Sequence, residues 1–248
     1  MNKGGFIKIL SIVMIFTIFN MKGNVQAMEN FENVFELGDL TTDGRKIAYL
    51  TFDDGPSIYT TALLDVLNAY DVSGIFFVLG DQFNYVPYAD ELLQRMLDEG
   101  HHVALHTMTH DKYQLYQVEK SPHKFTEEML ALKAEIANKT GHTTNLCRAP
   151  YGKKGHFQPA HYKAVADAGL YCIDWHIDSQ DWAKQNADQI YEQVVNQLEK
   201  YQNNSEIVLL FHEYQRTVDA LPRVIDLLKS AGYTFEPYIE GKIFEGLD

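Results

Sequence analysis

Asp53 and Asp54 stand side by side where the apolar run Ala48-Tyr49-Leu50-Thr51-Phe52 stops, and Gly55-Pro56 follows at once. The run reads as a buried strand and Gly-Pro as a turn. Neighbouring side chains on a strand point to opposite faces. At a strand end that alternation breaks down, so both carboxylates can converge, one gripping a metal ion and one free as a base. The competing reading is a polar turn, since Asp, Gly and Pro are turn formers. His106 and His110 follow a second apolar run. Imidazoles at i and i+4 lie on one side of a helical turn and can share an ion. With a carboxylate they make a two-His-one-Asp site with room for water, the donor set of catalytic rather than structural zinc. The spacing is weak alone, because ten histidines are present. His101 and His102, which lie along the strand rather than beyond it, read as packing or solvent-facing residues.

Three further groups could complete a reaction centre. Arg148, in Arg148-Ala149-Pro150-Tyr151-Gly152, can orient a carboxylate through paired hydrogen bonds. The Pro-Tyr-Gly turn can present a backbone N–H to a developing oxyanion. The two tryptophans, Trp175 and Trp182, bracket Asp178 and Asp181. An aromatic wall beside a carboxylate suits a sugar, although Trp175 and His176 read more simply as core residues. His212 ends the apolar run Ile207-Val208-Leu209-Leu210-Phe211 and is a candidate general acid, particularly beside an Asp partner. Glu213 receives no role.

These residues need a scaffold that brings distant stretches together. Strand-like runs at 46–52, 74–80, 102–106, 145–148, 170–177, 207–211 and 233–236 alternate with amphipathic patterns at 59–70, 88–99, 125–139, 159–169, 188–200 and 217–230. Seven strands with intervening helices imply a parallel sheet. The expected fold is α/β: a single-domain distorted (β/α) barrel of about seven parallel strands, with an open doubly wound sheet as the alternative. In such folds sites form at the C-terminal strand ends. Asp53-Asp54, His106, Arg148, Asp178-Asp181 and His212 all fall there.

Composition narrows the partners. The 248 residues carry 46% hydrophobic and 22% charged residues and a formal net charge of −13. Such an acidic body argues against nucleic acid and anionic lipid as partners. Residues 1–27 hold three lysines and no acid, with an 11-residue apolar run at 9–19 and a small-residue ending, Val25-Gln26-Ala27. They read as a signal peptide, an uncleaved anchor being the alternative and the only source of membrane attachment. Residues 28–44 form a polar leader and 45–248 the catalytic domain, expected as a secreted or cell-envelope monomer. Cys147 and Cys172 are the only cysteines, expected as two buried free thiols, with a bridge between them, which export would permit, as the alternative.

Taken in order, Thr51-Phe52-Asp53-Asp54-Gly55-Pro56-Ser57, His106-Thr107-x-x-His110, Arg148-x-Pro150-Tyr151-Gly152, Asp178-Ser179-x-Asp181-Trp182 and Leu210-x-His212 make the chain resemble the polysaccharide deacetylases of carbohydrate esterase family 4, the NodB-homology domain. The resemblance spans residues 46–235 and implies metal-dependent removal of acetyl groups from a polysaccharide. Carried over by position, it makes Asp53 the catalytic base, Asp54, His106 and His110 the metal ligands, and Arg148 the residue that orients Asp53. It makes the Tyr151 amide an oxyanion donor, Asp181 the partner that orients His212 as general acid, and Trp182 and Leu210 the lining for the acetyl methyl. Asp178 and Ser179 match without a catalytic role. Leu105 and Phe211 depart from the commoner Asn and Leu, but neither departure removes a functional group.

The expected cofactor is one divalent ion, zinc first, with cobalt, nickel, manganese or iron as alternatives. The expected reaction is N-deacetylation of an N-acetylglucosamine polymer, peptidoglycan or chitin-like. An acetylxylan-type esterase on the same scaffold and a non-catalytic glycan-binding module are the competing readings. A metal phosphoesterase is a weaker third, because it would favour a more basic chain.

Overall fold

Along β1 (Lys46–Gly55) side chains alternate between two cores. Ala48, Leu50 and Phe52 join a cluster that includes helix residues, whereas Ile47 and Tyr49 join a second cluster of strand and loop residues. A strand buried on both faces is what a sheet wrapped in helices requires. The computed structural model describes residues 44–248 except Glu245 and Asp248. The expected signal segment, 1–27, and nearly all of the polar stretch to residue 44 lie outside the described residues. From Lys46 onward the chain forms one compact unit.

After β1 come α1 (Thr60–Tyr70), β2 (Gly74–Val78), α2 (Gln82–Tyr85), α3 (Ala89–Asp98), β3 (His102–Leu105), α4 (Lys112–Tyr116), α5 (Ser121–Thr140), β4 (Leu146–Cys147), α6 (Pro159–Asp167), β5 (Tyr171–Cys172), β6 (Ile177–Asp178), α7 (Ala187–Tyr201), β7 (Glu206–His212), α8 (Gln215–Ser230) and β8 (Tyr233–Thr234). The helices follow from apolar stripes and end signals. In α1, Leu63, Leu64 and Leu67 are buried, and Asp71 ends the helix in the left-handed conformation. In α7, Ile190, Val194 and Leu198 form the stripe, and the Asn186 side chain caps the start by accepting the Gln189 N–H at 3.0 Å. Truncating a fully buried leucine such as Leu67 to alanine would cost about 2–5 kcal/mol. Helices α2 and α4 were not expected; both are too short to show a stripe, and α4 rests on its Asp111 cap.

The sheet runs β5-β4-β3-β2-β1-β7-β6, and β8 pairs with the start of β1 off this path. Every pairing is parallel. The seven strands of the path form a distorted (β/α) barrel, as the sequence reading has it, but the expected strand at 170–177 is not continuous. It pairs with β4 at Tyr171–Cys172, leaves, and rejoins the opposite edge beside β7 at Ile177–Asp178. Between these, the Ile173 amide donates to the Cys147 carbonyl at 3.0 Å and the His176 amide to the Val208 carbonyl at 2.9 Å. One segment thus joins both edges of the sheet.

The second core is filled partly from the C-terminal segment. Tyr238, Phe244 and Leu247 pack with Ile47, Tyr49, Ile75, Phe77 and Val208. Buried Lys153 donates from Nζ to the carbonyls of Cys172 and Leu247 at 3.0 and 2.7 Å, tying this segment to the loop after β4. Cys147 and Cys172 are free, buried and in register on neighbouring strands.

Candidate active site and metal centre

The side chains facing the inner core end in polar groups. Ile47 and Tyr49 lead by alternation to Thr51 and Asp53, Ala104 to His106, Leu146 to Arg148, and Val208 to Leu210 and His212. The period-2 rule that builds the inner core therefore delivers Asp53, His106, Arg148 and His212 to one mouth. Asp53, His106 and Arg148 are buried, and Asp53 and His212 are register partners across the β1–β7 ladder.

By the same rule Asp54 should face outward with Phe52. It does not, because β1 continues to Gly55 and carries a register shift between Asp53 and Gly55 against β2, with Asp54 at φ 70°. This extra residue turns the second carboxylate back toward the first, as β-bulges do. Asp54 Oδ1 lies 3.4 Å from His106 Nε2 and 3.5 Å from His110 Nε2. Among the described residues this is the group of three that places ligand atoms within 4.8 Å of one another. Asp54 Oδ1 is buried without a hydrogen-bond partner, which is the condition expected of a ligand atom. His106 Nδ1 must donate to the Arg148 carbonyl, 2.9 Å away, leaving Nε2 with a lone pair for a metal. Burial by itself would raise the Asp54 pKa, but the neighbouring imidazoles, His106 first and then His110 and His212, hold it well below the usual carboxylate range. The donor set fits a divalent ion.

The histidine pair is not on a helical turn. Residues 106–110 form a loop in which Thr107 and His110 have positive φ, 74° and 57°. The convergence comes from outside the loop. Buried Glu128 of α5 accepts from the Met108 and Thr109 amides at 3.2 and 3.1 Å and from the Thr109 hydroxyl. Thr107 Oγ1 accepts the His110 amide at 3.1 Å. Nothing in the local spacing pointed to Glu128, which lies 18 residues beyond His110 on another element.

Arg148 Nη1 donates to Asp53 Oδ1 at 2.8 Å and to Thr51 Oγ1 at 2.6 Å, while Nη2 donates to the Asp174 carbonyl at 3.2 Å. The contact with Asp53 is one hydrogen bond rather than the expected pair, since the other nitrogen is spent on Asp174. Opposite, Asp181 accepts His212 Nδ1–H at 2.7 Å, the His212 amide at 2.6 Å and the Thr217 hydroxyl at 2.7 Å. Burial disfavours a charged His212, yet the hydrogen bond and charge of Asp181 outweigh it and push its pKa up to about 9.

Asp53, Asp54, His106, His110 and His212 surround a cavity of about 400 Å³ whose walls include Tyr151, Trp175, Trp182, Leu210 and Tyr214. Tyr151 and Trp182 are largely exposed at its rim, and Leu210 is buried at its wall. Tyr151 has φ 65°, and its amide has no hydrogen-bond partner among the described residues. Gly152 follows at φ 79°, and a Cβ there would meet the Trp175 ring at 2.9 Å. Trp175 therefore lines the cavity as well as packing against the inner core. His176 is structural, accepting the Val208 amide at 3.0 Å. His101 and His102 are buried and hydrogen-bonded at the far end of β3, where desolvation lowers their pKa values to about 4 and about 3. Ser179 is fully buried and accepts the Asp181 amide, and Asp178 lines the cavity and accepts the Gln180 amide. Leu105 and Phe211 both face the outer core.

Two residues beside the motifs were missed. Tyr214 forms part of the cavity wall. Glu213 is buried against the β1 turn, its carboxyl accepting the Thr60 hydroxyl and occupying the space a Gly55 Cβ would need. Burial raises its pKa to about 7.

A family model described as polysaccharide deacetylase matches residues 41–173. The chain is 40% identical over 195 residues to a putative polysaccharide deacetylase, YheN, of Bacillus subtilis, covering 77% of this chain and 67% of that protein. It is 36% identical over 203 residues to a peptidoglycan-N-acetylglucosamine deacetylase of Bacillus cereus, covering 81% and 72%. Among solved structures, the polysaccharide deacetylase Bc1974 from Bacillus cereus superposes with a TM-score of 0.72 at 34% identity, over 81% of this chain and 95% of that one.

Proposed function

The chain belongs to the polysaccharide deacetylase family, and from that membership we propose that it removes N-acetyl groups from an N-acetylglucosamine-type polysaccharide, releasing acetate and leaving a free amine. The observation that carries this reading is the opposition of two hydrogen-bonded pairs across one cavity, Arg148–Asp53 and Asp181–His212, beside the Asp54, His106 and His110 donors. Amide hydrolysis needs a proton removed from water and another delivered to a poor leaving amine. The site has one group suited to each task.

A divalent ion held by Asp54, His106 and His110, zinc being our first choice, would supply Lewis-acid polarisation and a more acidic water. Asp53, with Oδ1 engaged by Arg148, keeps Oδ2 to receive the proton from the attacking water. The Tyr151 amide donates to the oxygen that gains charge. His212, protonated at neutral pH because of Asp181, gives its Nε2 proton to the departing nitrogen. Leu210 and Trp182 receive the acetyl methyl.

Peptidoglycan or a chitin-like polymer is the proposed substrate, and the cell envelope or exterior the proposed location. The second rests on the basic, apolar and small-residue pattern of residues 1–27. Among the described residues, no helix is long and apolar enough to cross a membrane. Acetate release from peptidoglycan, chitooligosaccharides and acetylated xylan tests the reading. Release from the first two supports it, and release from xylan alone would make the protein an O-acetyl esterase.

A further inference from the structure

Lys153, in the loop after β4, is buried, yet among the described residues no carboxylate pairs with its ammonium. Its Nζ donates instead to two backbone carbonyls, Cys172 at 3.0 Å and Leu247 at 2.7 Å. Taking a charge out of water is unfavourable, and an apolar side chain of the same length would fill the space without that penalty. What the ammonium adds over such a side chain is its grip on the two carbonyls. Lys153 is itself anchored, its own carbonyl accepting the His156 and Phe157 amides at 3.1 and 2.9 Å.

From these carbonyls a line of hydrogen bonds runs to the site. The Leu247 carbonyl also accepts the Asp174 amide, at 3.2 Å. Asp174 Oδ1 accepts the Lys153 amide at 3.0 Å. Asp174 is thus held at its backbone nitrogen and at its side chain, and its carbonyl is the one that takes Arg148 Nη2, at 3.2 Å. Arg148 Nη1 in turn engages Asp53 Oδ1 at 2.8 Å. The guanidinium lies 4.1 Å over the Phe77 ring, and its Nε is buried without a partner. A ring face fixes the guanidinium plane but gives no direction within it. That direction comes from the terminal nitrogens, which reach Thr51 and Asp53 on one side and Asp174 on the other.

We propose that Lys153 is a positioning residue for Asp53: together with the Leu247 carbonyl it fixes the Asp174 peptide, and that peptide sets how Arg148 presents the carboxylate. The proposal rests on the functional reading above, in which Asp53 is the base, and extends the support of that base to the C-terminal segment. Lys153 is not among the residues lining the catalytic cavity. Its loss should therefore reach the chemistry through Arg148 alone, leaving the acetyl pocket and the metal donors in place.

Lys153→Met keeps an unbranched side chain of similar length and removes the donors. On chitotetraose it should lower kcat by about 10–100-fold, the upper figure being the cost of a ~1 Å misplacement of a reacting group. KM and stoichiometric metal content should stay as in wild type. A double-mutant cycle separates positioning from a general loss of structure. Added to Arg148→Ala, in which the guanidinium is already gone, Lys153→Met should cost no further activity. Added to Asp181→Asn, across the cavity, its effect should multiply in full. Asp174→Ala cuts the same tie from the other side, by removing the carboxylate that takes the Lys153 amide. It should give the same pair of results, and it replaces Lys153→Met if that variant does not fold. Full multiplication in the Arg148→Ala background, an unchanged kcat, or metal lost in step with activity would overturn this inference alone. Absence of acetate release from any glycan by wild type would overturn the functional reading and this inference with it.

Discussion

Asp53 and His212 are register partners, the last paired residues of the ladder between β1 and β7. Parallel neighbours at one register point to the same side, so a single ladder delivers the proposed base and acid to the same cavity. Each is then turned by a partner from elsewhere, Arg148 from just past the end of β4 and Asp181 from the segment after β6.

Separate proton tasks should separate in mutants. Asp53→Asn and His212→Ala should each lower kcat by ~10²–10⁴ while leaving metal content near wild type. His212→Ala should damage an N-acetyl amide far more than an activated acetyl ester, whose leaving group needs no proton. Equal losses on both substrates would reassign His212 to orientation or packing.

The alkaline limb of kcat/KM should report His212. With a pKa raised to about 9, its acid form is present at neutral pH and lost as pH rises through that value. Asp181→Asn removes the charge that does most to raise it, leaving burial opposed only by the more distant charges of Asp53 and Asp54. The limb should therefore move to lower pH, and a pH–rate profile with an unmoved limb would detach His212 from it.

Metal content should depend on the donor set and on what holds it. His106→Ala with His110→Ala should abolish stoichiometric binding by elemental analysis, and undiminished metal would sink the assignment. Glu128→Ala removes the carboxylate that ties Met108 and Thr109. It should weaken affinity by ~10–100-fold, in the range typical of residues that orient ligands.

Glu213 should make the fold lose stability as pH rises from acid to neutral. Its carboxyl pKa, raised by burial from 4.5 to about 7, means the folded protein holds a proton that the unfolded chain releases. Its contribution is therefore most favourable at low pH and declines as pH rises between those values. Denaturant unfolding of Glu213→Gln across that range should show a relative gain over wild type of order 3 kcal/mol. Parallel curves would leave Glu213 without this role.

The mature protein should begin near Met28. N-terminal sequencing of exported material that found Met1 intact would indicate an anchor instead.

Much of the barrel could be read from the chain because period-2 and period-3.6 patterns are local. The alternation of Val208, Leu210 and His212 is visible without coordinates, and so is the stripe of Leu63, Leu64 and Leu67. What could not be read depended on contacts between distant segments. The strand expected at 170–177 splits because its middle residues serve two edges at once, a matter of sheet closure rather than propensity. The bulge at Asp54 was legible only as a broken alternation. Glu128, Glu213 and Tyr214 lack motif spacing. Their roles arise where α5, the β1 turn and the start of α8 meet the site.

The segment from Ile173 to His176, which passes between the two sheet edges, has a mechanical consequence. Local opening starts where backbone pairing is thinnest, and here neither edge holds a continuous ladder. Arg148 Nη2 grips the Asp174 carbonyl in that segment while Nη1 grips Asp53. A fluctuation that parts the seam would therefore pull on the guanidinium before it disturbs the outer core. Catalysis should register it first, as a carboxylate released from its bearing in a barrel that is otherwise still folded.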